Sequence, residues 1–337
     1  MAGAARRRCR GAGEEVTNGA VTGEAVRDKA VTGGAGALAC TRRALLALAL
    51  CAPLFAFAQA ADVPYVPTPQ NVVEAMLDIA KVGPDDFVID LGSGDGRIVI
   101  TAAKKYGARG FGVELDGALV SDARREAERQ GVKDRAQFVA QNLFITDIDR
   151  ATVLTSYLFP SVNMQLRPRI FAELRPGTRV VSHEFDFGNW KPDAHLTVPV
   201  PGKRYGPPQS EVYLWIVPAN AAGRWRWQFA AGVPGVFEAT VEQTFQVLQS
   251  AARLDGQPLR VSSAKMNGPD IALVLVAQSK GAPTRYELHG RVDGDAIRGK
   301  ARVTGVDREI EWQATRIARG TINIEAAAAS AALARSY

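Results

Sequence analysis

The most constraining feature of the sequence is a glycine-rich turn between an apolar strand and an apolar helix. Residues 86–91 form a short apolar segment that suits a buried strand, and the apolar residues of 98–105 have helical spacing. Between them, residues 90–97 read Asp-Leu-Gly-Ser-Gly-Asp-Gly-Arg. Glycine lets the backbone turn sharply and approach a ligand that any Cβ would block, and the start of the helix presents free N–H groups. The pattern predicts a ligand site where the strand meets the helix.

A carboxylate on the next strand indicates a nucleoside ligand. Residues 110–114 form a second predicted strand, and Glu114 ends it twenty residues after Gly94. A carboxylate at this sheet edge can accept hydrogen bonds from both hydroxyls of a ribose. A dinucleotide fold usually carries G-x-G-x-x-G, whereas here glycines occupy every second position, at Gly92, Gly94 and Gly96. A glycine turn that serves only backbone packing is the alternative.

Strand-like and helical patterns alternate from about residue 62 to residue 218. Further strands are predicted at residues 136–140, 151–157, 178–185, 196–200 and 212–217, and helices at residues 72–80, 119–130 and 164–174. This alternation is typical of an α/β domain with a parallel sheet covered on both faces. We predict a Rossmann-like α/β domain over residues 61–218.

The pattern changes to short β-rich segments after residue 222. About seven such segments lie between residues 225 and 314, and several are separated by turn dipeptides such as Asn267-Gly268. We predict a small antiparallel all-β domain over residues 223–318, folded as a sheet, sandwich or barrel, and a tail over residues 319–337. The alternating aromatic residues Trp225, Trp227 and Phe229 are predicted to lie in its core.

Residues 1–60 form a predicted leader. Arg42 and Arg43 precede an apolar stretch that continues to Ala58, and Ala58-Gln59-Ala60 has the form of a signal-peptide cleavage site. An uncleaved N-terminal anchor is the alternative, and it would allow membrane association. By the positive-inside tendency we expect an exported or membrane-anchored protein on the periplasmic side of a bacterial membrane. A location at the cytoplasmic face is the alternative.

The leader also accounts for most of the net charge. The chain of 337 residues has 41 basic and 35 acidic residues, for a net charge of +6. Eight basic and four acidic residues lie in the leader, so 33 and 31 remain in the other 277 residues. All three cysteines, Cys9, Cys40 and Cys51, lie there too, which excludes thiol chemistry from the rest. With so small a net charge outside the leader, we expect no nucleic-acid partner. We also expect no metal site, because His195 and His289 have no neighbouring ligand residues.

The glycine turn resembles motif I of the class I S-adenosylmethionine (SAM) methyltransferases, a family with a seven-strand sheet. The resemblance implies SAM as the cofactor and Glu114 as the ribose ligand, and a residue after the third strand would pair with the adenine amino group. Asn142 stands there in place of the commoner Asp. The residues implied to bind the cofactor are Asp90, Gly92, Ser93, Gly94, Gly96, Glu114, Asn142 and Leu143.

Two further motifs narrow the resemblance. Pro-Tyr-Val-Pro-Thr-Pro at residues 64–69 and Tyr-Leu-Phe-Pro-Ser-Val-Asn at residues 157–163 accompany the glycine turn. Together they are similar to the protein lysine methyltransferases related to the ATP synthase c-subunit enzyme and its archaeal relatives. This similarity covers about residues 62–192 and implies methylation of a protein lysine. It also suggests that Tyr65 and Thr68 contact the methionine end of SAM.

Candidate catalytic residues follow the fourth and fifth predicted strands. Tyr157 and Asn163 are expected to line a channel for the acceptor amine, since catalytic groups belong at the carboxyl edge of such a sheet. Glu184, beside His183, is a candidate base or substrate contact, and an ordinary hydrogen-bonded strand end is the alternative. Trp190 either covers the site or belongs to the core.

The sequence therefore predicts a SAM-dependent methyltransferase that acts on an amine, with a protein lysine as the first candidate acceptor. A small amine is the alternative acceptor, for an enzyme of the same fold with a closed, deep pocket. An exported binding protein with a vestigial methyltransferase fold is the rival from a different class. The role of the β domain and the oligomeric state are left open.

Overall fold

The computed structural model describes residues 65–325, except residues 205, 230, 231 and 279–281. The predicted leader, with its signal peptide or anchor, lies outside the described residues, as does the tail from residue 326 onwards. In the part of the chain that is described, no helix combines the length and the hydropathy needed to cross a membrane.

The first half of the described chain forms a mixed sheet. Its strands are β1 (Phe87–Leu91), β2 (Arg109–Glu114), β3 (Ala136–Ala140), β4 (Val153–Ser156), β5 (Arg179–His183), β6 (Ala194–Pro199) and β7 (Gln209–Ile216). They lie in the order β3-β2-β1-β4-β5-β7-β6. The predicted α/β sheet is confirmed, but only β1 to β5 are parallel. β7 runs antiparallel to both β5 and β6, because the short β6–β7 connection leaves no room for a crossover helix.

Helices cover both faces of this sheet: α1 (Gln70–Ile79), α2 (Arg97–Lys105), α3 (Gly117–Arg129) and α4 (Pro160–Glu173). The α1 helix buries Val72, Val73, Met76 and Leu77, which form one stripe at helical spacing, against β5, β6 and β7. The α4 helix starts four residues earlier than predicted, because Pro160 is well suited to the first helical position.

The second half of the described chain is a closed antiparallel barrel. Its strands are β8 (Gly223–Phe229), β9 (Phe237–Thr244), β10 (Val247–Leu254), β11 (Gln257–Asn267), β12 (Asp270–Ala277), β13 (Thr284–Asp293), β14 (Ala296–Val303) and β15 (Ile310–Arg319). Alternate residues of β8 are buried, which confirms Trp225, Trp227 and Phe229 as core residues. With Phe237, Tyr286 and Trp312 they fill the interior.

The sequence interpretation missed β10, and eight strands instead of about seven close the barrel. β9 and β10 are joined by Phe245 and Gln246, and the left-handed residue of this turn is Phe245, at φ 52°. Hairpin turns of this kind usually carry Gly, Asn or Asp. The turn therefore had no sequence signal, and the strand after it was not separated from β9.

The barrel and the sheet share part of one hydrophobic core. Phe245 is 4% exposed and belongs to the same cluster as Ile89, Leu154 and Trp215 of the sheet. Trp190, in the loop between β5 and β6, lies at the centre of this cluster and is fully buried. Trp190 was expected either to cover the site or to belong to the core, and the structure shows that it belongs to the core.

Candidate functional site

The glycine turn begins where β1 ends and is held against β2. The amide groups of Gly92 and Ser93 both donate to the carbonyl oxygen of Val113, at 2.8 and 2.9 Å. Gly92, Gly94 and Gly96 have φ values of 76°, 52° and 80°, which L side chains rarely adopt. A Cβ on Gly94 would lie only 2.3 Å from the ring of Tyr65. Both the conformation and the space of this turn therefore require glycine.

The Glu114 carboxylate joins the turn to the end of β2. Its Oε2 accepts from the Gly94 amide at 3.0 Å, and its Oε1 accepts from the Leu115 amide at 2.7 Å. Glu114 is half-buried, so part of its carboxylate still faces solvent. A carboxylate fixed in this way is positioned to accept from the two hydroxyls of a ribose.

Asp90 and Ser93 lie beneath the turn. The Thr155 hydroxyl donates to Oδ1 of Asp90 at 2.7 Å, and Asp90 is only 2% exposed. Burial raises the pKa of the Asp90 carboxyl to about 7, and the nearby carboxylates of Glu114 and Asp95 add to the rise. The Ser93 hydroxyl is buried without a partner in the structure. The structure thus places Asp90 as a support of the turn, and the side chain of Ser93 lies under the turn against Gly112 of β2.

The raised pKa of Asp90 predicts a pH dependence of stability. Between about pH 4 and about pH 7 the unfolded chain has lost this proton while the folded apoprotein keeps it, so its free energy of unfolding decreases as the pH rises. We expect the free energy of unfolding of the wild type to decrease by a few kcal/mol over this range, and we expect Asp90→Asn to lack this decrease. Urea unfolding across this pH range, without SAM, measures it. Asp85→Asn, which removes an exposed carboxylate nearby, is the control; an identical decrease in both variants would contradict the assignment.

The residues after β3 form a short 3₁₀ helix beside the turn. Oδ1 of Asn142 accepts from the Phe144 amide at 2.8 Å and caps this helix, and Leu143 is half-buried. Arg169 of α4 holds the segment in place by donating to the carbonyl oxygens of Leu143 and Phe144, at 3.1 and 2.7 Å. Because a carbonyl oxygen has two lone pairs, the capping bond leaves Asn142 able to accept from an adenine amino group.

The segment before α1 crosses the carboxyl edge of the sheet. Its Tyr65 ring covers Gly94, and burial together with the carboxylate of Asp95 raises the pKa of the Tyr65 hydroxyl to about 12. Thr68 is buried, with its hydroxyl 3.1 Å from Nδ1 of His183. Arg97 donates to the Thr68 carbonyl at 2.8 Å. The segment therefore connects the glycine turn to the end of β5. The sequence interpretation did not identify Arg97, whose only signal was its place next to the glycine turn.

The rings of Tyr157 and His183 pack against each other in a tilted arrangement at the ends of β4 and β5, with centroids 4.0 Å apart. Burial lowers the pKa of His183 to about 4, so the ring is neutral, and its Nε2 lies 3.0 Å from the Ser210 hydroxyl. Burial, followed by the charge of Glu184, raises the pKa of Tyr157. Tyr157 therefore keeps its hydroxyl proton at neutral pH and can donate a hydrogen bond to an acceptor.

Glu184 follows β5 with a left-handed backbone, at φ 64°. Non-glycine residues adopt this conformation only where the surrounding structure enforces it. Its carboxylate pairs with Lys203, whose Nζ also donates to the Gln209 carbonyl at 2.6 Å. Burial raises the pKa of Glu184, but hydrogen bonds from Lys203 and Ser210 outweigh it and keep the pKa below its ordinary value. The sequence interpretation did not anticipate Lys203, since nineteen residues separate the pair.

The structure does not place Asn163 on an open channel. The residue lies in the first turns of α4 and is fully buried. Its Nδ2 donates to the carbonyl oxygens of Phe185 and Asp186, at 3.3 and 3.2 Å. Because Pro160 starts a helix immediately after the sheet edge, Asn163 points under the loop that follows β5, and it holds that loop.

The residues at this edge fit the cofactor that the glycine motif implied. The left-handed glycines form a cradle, and Glu114 faces it. In the described part of the chain, no group of three or more metal-ligating side chains comes together. An open cavity of about 650 Å³ lies on the helical side of the turn, lined by Asp95 and Arg97 and by polar side chains of α1, α2 and α3 such as Glu74.

Comparisons with known proteins give the same result for the first half of the chain. Residues 90–194 match the model of the ANTKMT methyltransferase domain. A protein-lysine N-methyltransferase from Saccharolobus islandicus is 47% identical over 156 residues, which cover 46% of this chain and 94% of that protein. A lysine N-methyltransferase of the ATP synthase c-subunit, from Xenopus laevis, is 36% identical, and the match covers 39% of this chain and 57% of that protein.

A solved structure is also similar. It is described as an RNA methyltransferase from Salinibacter ruber in complex with S-adenosyl-L-homocysteine. The sequences are 52% identical, the match covers 45% of this chain and 93% of that one, and the TM-score is 0.41.

Proposed function

This chain belongs to the SAM-dependent methyltransferase family that includes the protein-lysine N-methyltransferases, and we propose that its acceptor is the amine of a protein lysine. The observation that carries this proposal is the 47% identity to a protein-lysine N-methyltransferase along 94% of that protein. The vertebrate relatives, of whose length this chain spans little more than half, are also named for lysine methylation.

The reaction requires alignment and water exclusion more than acid–base chemistry. Bound SAM supplies a methyl group on a sulfonium, which an amine attacks in line. Neither His183, with a pKa near 4, nor Glu184, with a lowered pKa, is a strong base at neutral pH. We therefore propose that the acceptor ammonium gives up its proton to solvent at the sheet edge. An apolar site favours the neutral amine.

An ammonium is already held at the acceptor side of the structure. Lys203 pairs with Glu184 and is 14% exposed at its side chain, and Glu184 acts on the pKa of Tyr157. This pair supports an acceptor side that can hold a lysine ammonium. In the proposed function, the incoming lysine arrives on this side as an ammonium, with the carboxylate of Glu184 as a counter-charge, and it loses its proton to solvent before the neutral amine attacks the methyl group.

The entrance on this side is open and apolar, which suits a protein acceptor. Phe159, between β4 and α4, is 43% exposed, and Met164 of α4 is 38% exposed. Apolar side chains at a surface are typical of a place where another macromolecule docks.

Labelling with tritiated SAM tests the proposed acceptor. The purified protein is incubated with lysate, and protein, RNA and low-mass fractions are counted separately. We expect label in the protein fraction, as methyllysine after hydrolysis, and much less label with Glu114→Ala when the SAM concentration is close to the wild-type Kd. Label confined to low-mass amines would support the small-molecule alternative, and label in RNA would also contradict the proposal. SAM binding without any label would favour the binding-protein rival.

Tyr157 is proposed as the residue that lines the acceptor channel. We expect Tyr157→Ala to lower kcat about tenfold, because the acceptor amine loses the ring that orients it, and to leave the Kd for SAM nearly unchanged. Steady-state kinetics with calorimetry separates the two effects. Tyr106→Ala removes a tyrosine whose hydroxyl bonds Asp78 on the helical side, and it is the control. Equal loss of kcat in both variants would contradict this role.

We further propose that the protein acts outside the cytoplasm or at a membrane, as the leader indicates. Arg42, Arg43 and the apolar stretch up to Ala58 support this location. Reporter fusions after residue 60 test it: a reporter active only after export agrees with the proposal, and one active only in the cytoplasm contradicts it.

A further inference from the structure

The loop between β5 and β6, residues 184–193, is here named the acceptor loop because it begins with Glu184 and Phe185. Its first part lies beside Tyr157, with the rings of Tyr157 and Phe185 stacked at 6.2 Å. From the α4 side it is held by Asn163, and by Arg167, which donates to the Phe187 carbonyl at 3.0 Å. The position of this loop sets the position of the acceptor-side groups.

The barrel holds the other side of the acceptor loop. Gln246, in the turn between β9 and β10, accepts from Nε1 of Trp190 at 2.9 Å and donates to the Lys191 carbonyl at 2.7 Å. One barrel side chain thus satisfies two polar groups of consecutive loop residues. Both bonds depend on the amide of Gln246, which offers an acceptor and a donor at once.

Phe245 fixes this turn in the core under the loop. Its ring stacks on Trp190 at 6.2 Å and lies 5.8 Å from the ring of Phe171 in α4. The residue keeps a left-handed backbone at φ 52°, which is costly for a bulky side chain and persists only where packing enforces it. The turn is therefore built to place Phe245 and Gln246 against the acceptor loop.

A second contact joins the barrel to the sheet. The Ala219 amide donates to the Gly268 carbonyl at 2.9 Å, in the turn between β11 and β12. A Cβ on Gly268 would lie 3.0 Å from Ile216 of β7 and 3.2 Å from the backbone of Gly177. With two separate contacts, the body of the barrel determines where Gln246 and Phe245 lie.

We propose that Gln246 and Phe245 are positioning residues for methyl transfer, and that the barrel acts by holding the acceptor loop in place. The proposal rests on the proposed function for the nature of the acceptor. The Saccharolobus relative is matched along 94% of its length by 156 residues, so a barrel of this size is an addition to the shared fold. Its contact with the loop after β5, away from the glycine turn, makes the acceptor side the part of the site that it controls.

The test compares Gln246→Ala with Gln249→Ala in the full chain. Gln249 lies on β10, three residues away, and its side chain is exposed. We expect Gln246→Ala to lower kcat/KM for a lysine acceptor about tenfold, with the Kd for SAM within about twofold of the wild type. Hydrogen exchange should become faster in residues 184–193 and stay unchanged in residues 92–96. Gln246→Glu keeps the acceptor for Trp190 but sets a carboxylate against the Lys191 carbonyl and the Asp193 carboxylate, so it should not recover the loss.

Two results would overturn the proposal. The first is a Gln246→Ala variant that matches Gln249→Ala in both exchange and kinetics. The second is a parallel loss of SAM affinity and acceptor activity, which would show general destabilisation. Hydrogen exchange in the acceptor loop can be measured without any methyl acceptor. If the wild type failed to methylate lysine, the proposed function would be overturned, but the exchange result would still test the positioning role of Gln246.

Discussion

Replacing Glu114 with alanine is expected to weaken SAM binding about a hundredfold. The carboxylate can accept charge-assisted hydrogen bonds from two ribose hydroxyls, each worth about 1.5–3 kcal/mol. It also holds the glycine turn through the Gly94 amide at 3.0 Å. A loss of about 3 kcal/mol corresponds to roughly a hundredfold change in Kd. Isothermal titration calorimetry with SAM measures it.

Two variants make this result specific. Glu128→Ala removes an exposed carboxylate at the end of α3, which pairs with Lys133, and should leave the Kd unchanged. Glu114→Gln keeps one acceptor oxygen and should give an intermediate Kd. If Glu114→Ala bound SAM as tightly as Glu128→Ala, Glu114 would not be the ribose ligand.

Replacing Trp190 with alanine is expected to lower the free energy of unfolding by about 3–5 kcal/mol. Trp190 is fully buried, and its ring contacts Phe171, Phe187, Trp215 and Phe245. Its removal leaves a cavity where sheet, helix and barrel meet, and neighbours from three elements cannot all collapse into it. Urea unfolding measures the change.

Trp190→Phe separates packing from hydrogen bonding at this position. It keeps an aromatic ring but loses the donor to Gln246, so we expect a smaller loss of about 1–2 kcal/mol. A Trp190→Ala variant within about 1 kcal/mol of the wild type would show that the barrel and the sheet do not depend on this shared core.

Much of the cofactor side could be predicted from the sequence because its signals are local. The turn with Gly92, Gly94 and Gly96 needs left-handed backbone angles, and glycine is the residue that supplies them. Glu114 follows a strand that pairs in register with β1, so its position beside the turn follows from parallel pairing. The roles of these residues toward SAM stay predictions until binding is measured.

The acceptor side was less accessible to prediction because its contacts join distant residues. Thr68 meets His183 across 115 residues, and Glu184 meets Lys203 from the β6–β7 connection. Asn163 was expected on the channel, but the helix start at Pro160 turned it under the acceptor loop. No periodicity or spacing records such pairings, since they depend on how the elements pack.

The sequence by itself therefore determined the α/β sheet, the β-rich second half and the cofactor turn. Each of these follows from short-range causes: apolar periodicity, backbone freedom at glycine and parallel strand pairing. Only the tertiary structure decided that eight strands close the barrel and that Phe245 and Gln246 contact the loop between β5 and β6. Those outcomes depend on side chains far apart in the chain that meet only when the core is packed.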